Sequence, residues 1–215
     1  MPRKISESSK NWRNQLQRKA VQSHAEGLIL AKELKSGKIS AETFARRFSK
    51  LREAELFESK TGLFTPAFFE AELFQEIASA KRFGLPLTLA IIDVDKLKTI
   101  NDKFGHLRGD RAVKLVGKVI KRCIRETDVP CRWGGDEFTL LLPKTTAQGA
   151  SLLVRRLKEK LQEDNKTNAN NFTVTVSIGL TQLKDSDSAD SFFDRADKAV
   201  YKAKEKGRDD IVSLD

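Results

Sequence analysis

The run Leu87–Val94 is almost continuously apolar, and no other segment constrains the fold as strongly. A strand with so few polar positions reads as one buried on both of its faces, which calls for covering layers around it. The neighbouring patterns supply them. Thr65-Pro66 opens a helix that runs to about Arg82, with Phe68, Phe69, Leu73 and Ile77 turned inward, and Gly84-Leu85-Pro86 ends it. A second helix is expected over roughly Asp110–Arg125. Two short strands, Val129–Trp133 and Glu137–Leu142, flank Gly134-Gly135-Asp136 and read as a β-hairpin. A helix over Ala147–Glu163, a polar loop over Asn165–Asn171, an alternating strand over Phe172–Leu180, a helix over Asp190–Lys206 and a last strand over Asp210–Ser213 complete the series. The order β-α-β-β-α-β, with one more helix and strand, implies an α/β (α+β) fold: a mainly antiparallel sheet with helices on one or both faces.

The first quarter of the chain has a different texture. Trp12, Leu16, Ala20, Leu28, Ala31 and Leu34 form a helical stripe over 9–35, weakened at Gly27 and stopped by Ser36-Gly37. Ser40 is a plausible N-cap for a further helix bearing Phe44, Phe48 and Leu51. Two such helices bury little alone, so they need the following domain, each other or a second copy of the chain. The net charge is +10, and residues 1–57 carry 13 basic against 6 acidic side chains. That basic region suits an anionic partner or a protein partner, although a solvated helical face is the commoner explanation of such a charge run. No apolar window is long enough to span a membrane, and no signal-peptide pattern is read at the start. Cys123 and Cys131 fit neither a disulfide framework nor a zinc site, and are expected to be reduced in a cytoplasmic protein.

Chemistry concentrates where acids meet the ends of apolar strands. In Ile91-Ile92-Asp93-Val94-Asp95, alternation turns both aspartates to one side and Val94 away. In Trp133-Gly134-Gly135-Asp136-Glu137-Phe138, two acids follow two glycines. If these strands are neighbours, three or four carboxylates converge and repel one another unless a cation or proton intervenes. Oxygen ligands without cysteine or histidine favour Mg²⁺ or Mn²⁺, and the glycines leave space for a phosphate. A Gly-Gly-Asp turn alone is usually just a hairpin, and an Asp-x-Asp alone a solvated loop. Their combination carries the argument.

Arg132-Trp133-Gly134-Gly135-Asp136-Glu137-Phe138 resembles the signature of the GGDEF family, the diguanylate cyclases. Other stretches agree in order and spacing: Lys60-Thr61-Gly62-Leu63, then Asp93 through Asp102 with Gly105-His106 and Gly109-Asp110, then Val176-Ser177-Ile178-Gly179, and finally Ala196 through Lys204 closing on Gly207-Arg208. The resemblance covers about 58–215, leaving 1–57 as a helical dimerisation or docking region. It implies a palm-like nucleotide-cyclase sheet that binds one GTP per domain. Two domains of a homodimer would meet face to face and join two GTP into cyclic di-GMP and two pyrophosphates. By the same resemblance, Asp93, Asp136 and the Val94 carbonyl would hold Mg²⁺ (or Mn²⁺), and Glu137 would assist deprotonation of the attacking hydroxyl. Gly134 and Gly135 would lie along the nucleotide. Lys98, Lys204 and Arg208 would meet the phosphates. Asn101 and Asp110 would read guanine, since a carboxylate accepts from the N1–H and N2–H₂ edge that adenine lacks.

Arg125-Glu126-Thr127-Asp128 resembles the family's inhibitory Arg-x-x-Asp site, which makes cyclic di-GMP both product and inhibitor. The sequence departs from the family pattern at Glu58, Thr65 and Pro66 in the opening motif, at Lys96-Leu97 and at Asp209. None of these removes a proposed metal ligand or phosphate contact. His106 is expected to be structural. Two other readings compete with an active cyclase: a catalytically silent cyclic di-GMP receptor or scaffold, and a nucleic-acid binder working through residues 1–57.

Overall fold

The computed structural model describes residues 26–167 and 172–214. A helical segment over 26–35 (α1) and α2 (Ala41–Leu56) are followed by α3 (Pro66–Phe83), β1 (Leu87–Val94), α4 (Leu97–Phe104) and α5 (His106–Cys123). Then come β2 (Val129–Arg132), β3 (Glu137–Pro143), α6 (Ala147–Thr167), β4 (Val176–Gln182), α7 (Ala189–Glu205) and β5 (Ile211–Ser213). The strands make one five-stranded sheet in the order β2-β3-β1-β4-β5. All pairings are antiparallel except the parallel β4–β5 edge.

β1 is the central strand and is buried along its whole length, as its apolar sequence demands. Its period of two divides the core. Ala90, Ile92 and Val94 pack with Val116 and Ile120 of α5 and Val154 and Leu157 of α6. Leu89 and Ile91 pack with Phe69 and Leu73 of α3 and with Phe192 and Ala196 of α7. Helices therefore cover both faces, and Asp93 falls on the α3/α7 side. α7 lies so close to β4 that a Cβ at Gly179 would sit 2.3 Å from the Val200 nitrogen and 2.4 Å from the Ala196 oxygen.

Local signals set most element ends. The Ser40 hydroxyl caps α2 by accepting the Thr43 N–H at 3.1 Å. Gly84 ends α3 at a left-handed φ of 64°. Phe57, just beyond α2, stacks on Phe64 at 5.1 Å between ring centres, and Phe64 on Phe68 at 4.2 Å. A Cβ at Gly27 would lie 3.9 Å from both Phe48 and Leu51, so α1 packs along α2. Of the helix expected over 9–35, the part with Trp12, Leu16 and Ala20 lies outside the described residues, and 26–35 is α1. No helix among the described residues is long and apolar enough to cross a membrane. Cys123 and Cys131 are buried and unpaired.

Four differences from the sequence reading have physical causes. α4 was not expected: it is only eight residues long, no side chain caps its start, and only Ile100 in it is fully buried. α5 correspondingly starts at His106 rather than Asp110. α6 continues past Glu163 to Thr167, since Asn165 bonds both the Val174 oxygen (2.8 Å) and the Val174 N–H (3.0 Å). The same bonds hold the chain before β4, together with the Asp95 N–H to the Thr175 oxygen at 2.9 Å, and the strand begins at Val176 instead of Phe172.

Candidate functional site

The β2–β3 hairpin brings its turn beside the carboxyl end of β1. Asp93 stands opposite Glu137 in the β1–β3 register, and the Val94 N–H donates to the Asp136 oxygen at 2.9 Å. Trp133 and Gly134 close the turn by donating their N–H groups to the Glu137 oxygen at 2.9 and 3.1 Å. Like charges directly across a strand pair are destabilising. At Asp93 burial is the larger cause: it raises the carboxyl from 3.8 to about 6, Lys204 opposes the rise, and Asp136 and Asp95 add smaller increments. The Lys204 ammonium reaches Asp93 from α7 at 2.6 Å. Glu137 is also pushed above its ordinary range, by burial first and then by Asp93 and Asp136.

Asp95 does not join this group. Its carboxylate accepts the Thr175 hydroxyl at 2.8 Å, the Ser177 hydroxyl at 2.6 Å and the Asp209 N–H at 3.0 Å. The expected convergence of three or four carboxylates is thus reduced to Asp93, Asp136 and Glu137. Among the described residues no three such groups form a ready-made metal cage. The donor chemistry nevertheless fits a hard divalent cation: oxygen ligands only, mutually repelling, with one carboxyl already holding its proton unusually tightly.

Two clefts flank the end of β1. One, of about 320 Å³, is lined by Lys98, Asn101, His106, Asp110, Gly135 and Asp136. It unites the residues expected to read the base with the Gly134-Gly135-Asp136 turn. Gly109 makes room for Asn101 here, since a Cβ on Gly109 would come within 1.8 Å of the Asn101 side-chain oxygen. Gly135 faces open space, with nothing within 4 Å of its would-be Cβ. The other cleft, of about 330 Å³, is lined by Asp95, Lys96, Lys103, Phe104, Arg208 and Asp209 among others. Arg208 therefore faces a separate opening from Lys98. Lys204 is engaged by Asp93 in this state.

Arg125 and Asp128 lie in the α5–β2 connection, outside both clefts. Asp128 is buried, and its carboxylate accepts the Arg125 N–H at 2.8 Å while its own N–H donates to the Arg125 oxygen at 3.1 Å. Burial pushes Asp128 upward. The Arg125 side chain is exposed.

Further side chains tie the site together, and the sequence reading assigned them no role. Arg132 donates to Glu58 at 2.9 Å and to the Gly135 oxygen at 2.9 Å, joining the opening motif to the glycine turn. Its Nε is buried without a partner. Glu58 also accepts the N–H groups of Lys60 (3.0 Å) and Thr61 (2.8 Å) and the Thr61 hydroxyl (2.7 Å). Glutamate at this departure from the family pattern thus organises the turn. Lys60 pairs with Asp110 at 2.7 Å and holds that carboxyl below its ordinary range. The position of Arg132 beside the glycines was the available signal for its role; the Lys60–Asp110 pair had none.

A five-stranded sheet with acids at the tip of its central strand, a glycine hairpin beside them and a cleft lined by Lys98, Asn101 and Asp110 suits a nucleotide-handling domain. The profile of the GGDEF family, described as diguanylate cyclase, GGDEF domain, matches residues 56–210. The chain belongs to the GGDEF diguanylate cyclase family. It is 35% identical over 170 residues to diguanylate cyclase DgcP of Pseudomonas aeruginosa, a match that takes in 79% of this chain and 25% of the relative. The chain spans from a quarter to about half the length of such curated relatives. Among solved structures, the coiled coil and GGDEF domain of DgcB from Caulobacter crescentus, in complex with c-di-GMP, superposes with a TM-score of 0.75. The sequence identity is 26%, over 86% of this chain and 99% of that one. Diguanylate cyclase SiaD from Pseudomonas aeruginosa, in complex with its activator SiaC, gives a TM-score of 0.71 at 28% identity, over 98% of this chain and 82% of that one.

Proposed function

We propose that this chain is an active diguanylate cyclase that condenses two GTP into cyclic di-GMP and two pyrophosphates. The observation that carries the reading is the adjacency of Asp93, Asp136 and Glu137 to a cleft containing both Asn101 and Asp110. Asp93 and Asp136, with the Val94 carbonyl, would hold Mg²⁺ or Mn²⁺, which when bound neutralises phosphoryl charge as a Lewis acid. Asn101 and Asp110 hold the guanine edge, and Gly134 and Gly135 let the turn lie along the nucleotide. Lys98, Lys204 and Arg208 bind the phosphates as charge-assisted donors, Lys204 exchanging Asp93 for a phosphate oxygen.

Glu137 takes the proton of the 3′-hydroxyl, a task suited to a carboxylate whose affinity for protons burial has raised. The 3′-oxygen forms a bond to the α-phosphorus of the opposite GTP, and the bond to the β-phosphate bridging oxygen breaks. A second such transfer closes the ring. Each domain brings one substrate, so a homodimer completes the reaction, and residues 1–57 act as its dimerisation or docking element ahead of a catalytic domain over 58–215. A protein partner is a further candidate for this region; the structural neighbour SiaD is itself found in complex with an activator, SiaC. Cyclic di-GMP binding at Arg125 and Asp128 would restrain turnover.

The test is GTP turnover with Mg²⁺ over a range of protein concentrations, with the product identified by mass spectrometry. Cyclic di-GMP formed by the native chain and lost in Asp136→Ala supports the reading. Cyclic di-GMP binding without any turnover would replace it with a receptor.

A further inference from the structure

Arg208 occupies an unusual backbone position. Its φ of 71° and the 47° of Asp209 both lie in the left-handed region that side chains other than glycine seldom adopt. A loop of that kind persists only where its surroundings hold it. Two anchors do so. The Asp209 N–H donates to the Asp95 carboxylate at 3.0 Å, which ties the loop to the tip of β1. From α6, Lys158 pairs with the Asp209 carboxylate at 2.9 Å and also donates to the Asp209 carbonyl oxygen. The Lys158 side chain is only 16% exposed, so this ammonium is committed to the loop rather than to solvent. The Arg208 guanidinium makes no hydrogen bond among the described residues and faces the 330 Å³ cleft.

The charge arrangement gives this anchoring a purpose. Asp209 follows Arg208 directly and borders the same cleft. Left alone, its carboxylate would compete with incoming phosphates for the guanidinium and repel them. Lys158 neutralises it and fixes both its carboxylate and its carbonyl, which leaves Arg208 free and aimed. We propose that Lys158 is a positioning residue for the substrate phosphates, acting through Asp209 on Arg208. The proposal rests on the reading of Arg208 as a phosphate contact.

The test is steady-state kinetics of the full chain against GTP in a two-by-two set: native, Lys158→Met, Arg208→Ala and the double variant, with Lys158→Arg as a conservative control. Arg208→Ala should raise KM for GTP about tenfold or more, as loss of a charge-assisted bond to phosphate implies. Lys158→Met should raise KM about threefold to fivefold with kcat within about twofold, the range of a partly exposed ion pair. Lys158→Arg should restore KM. In the Arg208→Ala background, Lys158→Met should add nothing, because the group it positions is gone. An unchanged KM in Arg208→Ala overturns the phosphate role of Arg208, and the proposal with it. A raised KM in Arg208→Ala, with either no effect of Lys158→Met or an equal effect in both backgrounds, leaves the phosphate role standing and overturns the role of Lys158.

Discussion

Asp93→Asn should make the metal-free protein more stable. The native carboxylate is buried, faces Glu137 across the sheet and sits near Asp136, and its carboxyl rises from 3.8 to about 6. Each pH unit of difference between folded and unfolded states corresponds to 1.36 kcal/mol, so ionised Asp93 costs the fold about 3 kcal/mol at neutral pH. Its side chain is only 9% exposed, so solvent screening takes little away. The sign follows from linkage. A carboxyl with a raised value binds its proton more tightly in the folded state, so its favourable contribution is complete below about pH 4 and is lost as pH rises toward 6. Asparagine keeps an oxygen for Lys204 and has no charge to bury. Urea unfolding in EDTA at pH 7.5 should therefore show Asp93→Asn more stable by about 1–3 kcal/mol, a midpoint shift of about 1 M. The difference should shrink as pH falls from 7.5 to 4.5. With Mg²⁺ and GTP only the native chain should gain stability, and the gap should close. An Asp93→Asn protein that is less stable at pH 7.5 in EDTA, or a difference indifferent to pH, would refute the reasoning.

Other parts of the site give sharper structural tests. Gly179→Ala drives a Cβ into the backbone of α7 and should cost about 1–3 kcal/mol in urea unfolding, while loosening the helix that carries Lys204; native-like stability would contradict the close packing. Arg132→Lys keeps the charge but not the fork that joins Glu58 to the Gly135 oxygen, so kcat for GTP should fall about tenfold with the thermal midpoint little changed, and an unaltered kcat would remove Arg132 from the positioning of the turn. Arg125→Ala should relieve inhibition by cyclic di-GMP; an unchanged inhibition curve would make the Arg125–Asp128 segment a self-contained turn and nothing more.

What the sequence made legible and what it hid differ in range. β1, the hairpin and the long helices announced themselves because each is specified by its own periodicity and turn residues. α4 stayed hidden because it is only eight residues long, follows Lys96 in a left-handed conformation with no side-chain cap, and offers only Leu97, Ile100 and Phe104 from which to read a period. The site shows the same division. Alternation correctly placed Asp93 at the end of a buried strand, yet Asp95 is withdrawn by Thr175, Ser177 and Asp209, none adjacent to it in sequence. Glu58–Arg132, Lys60–Asp110 and Lys158–Asp209 are likewise pairs brought together only by the fold. They share a logic. Each places a charge of opposite sign on a residue that borders a cleft or holds its walls, so cationic and anionic groups can stand close together without collapsing onto one another. The Asp93–Asp136–Glu137 group differs: burial is the main cause that raises both Asp93 and Glu137, and Lys204 offsets the push of Asp136 on Asp93. Three acids gathered and desolvated at the end of one strand are relieved by a bound cation, which is how this group would take a metal ion together with a triphosphate.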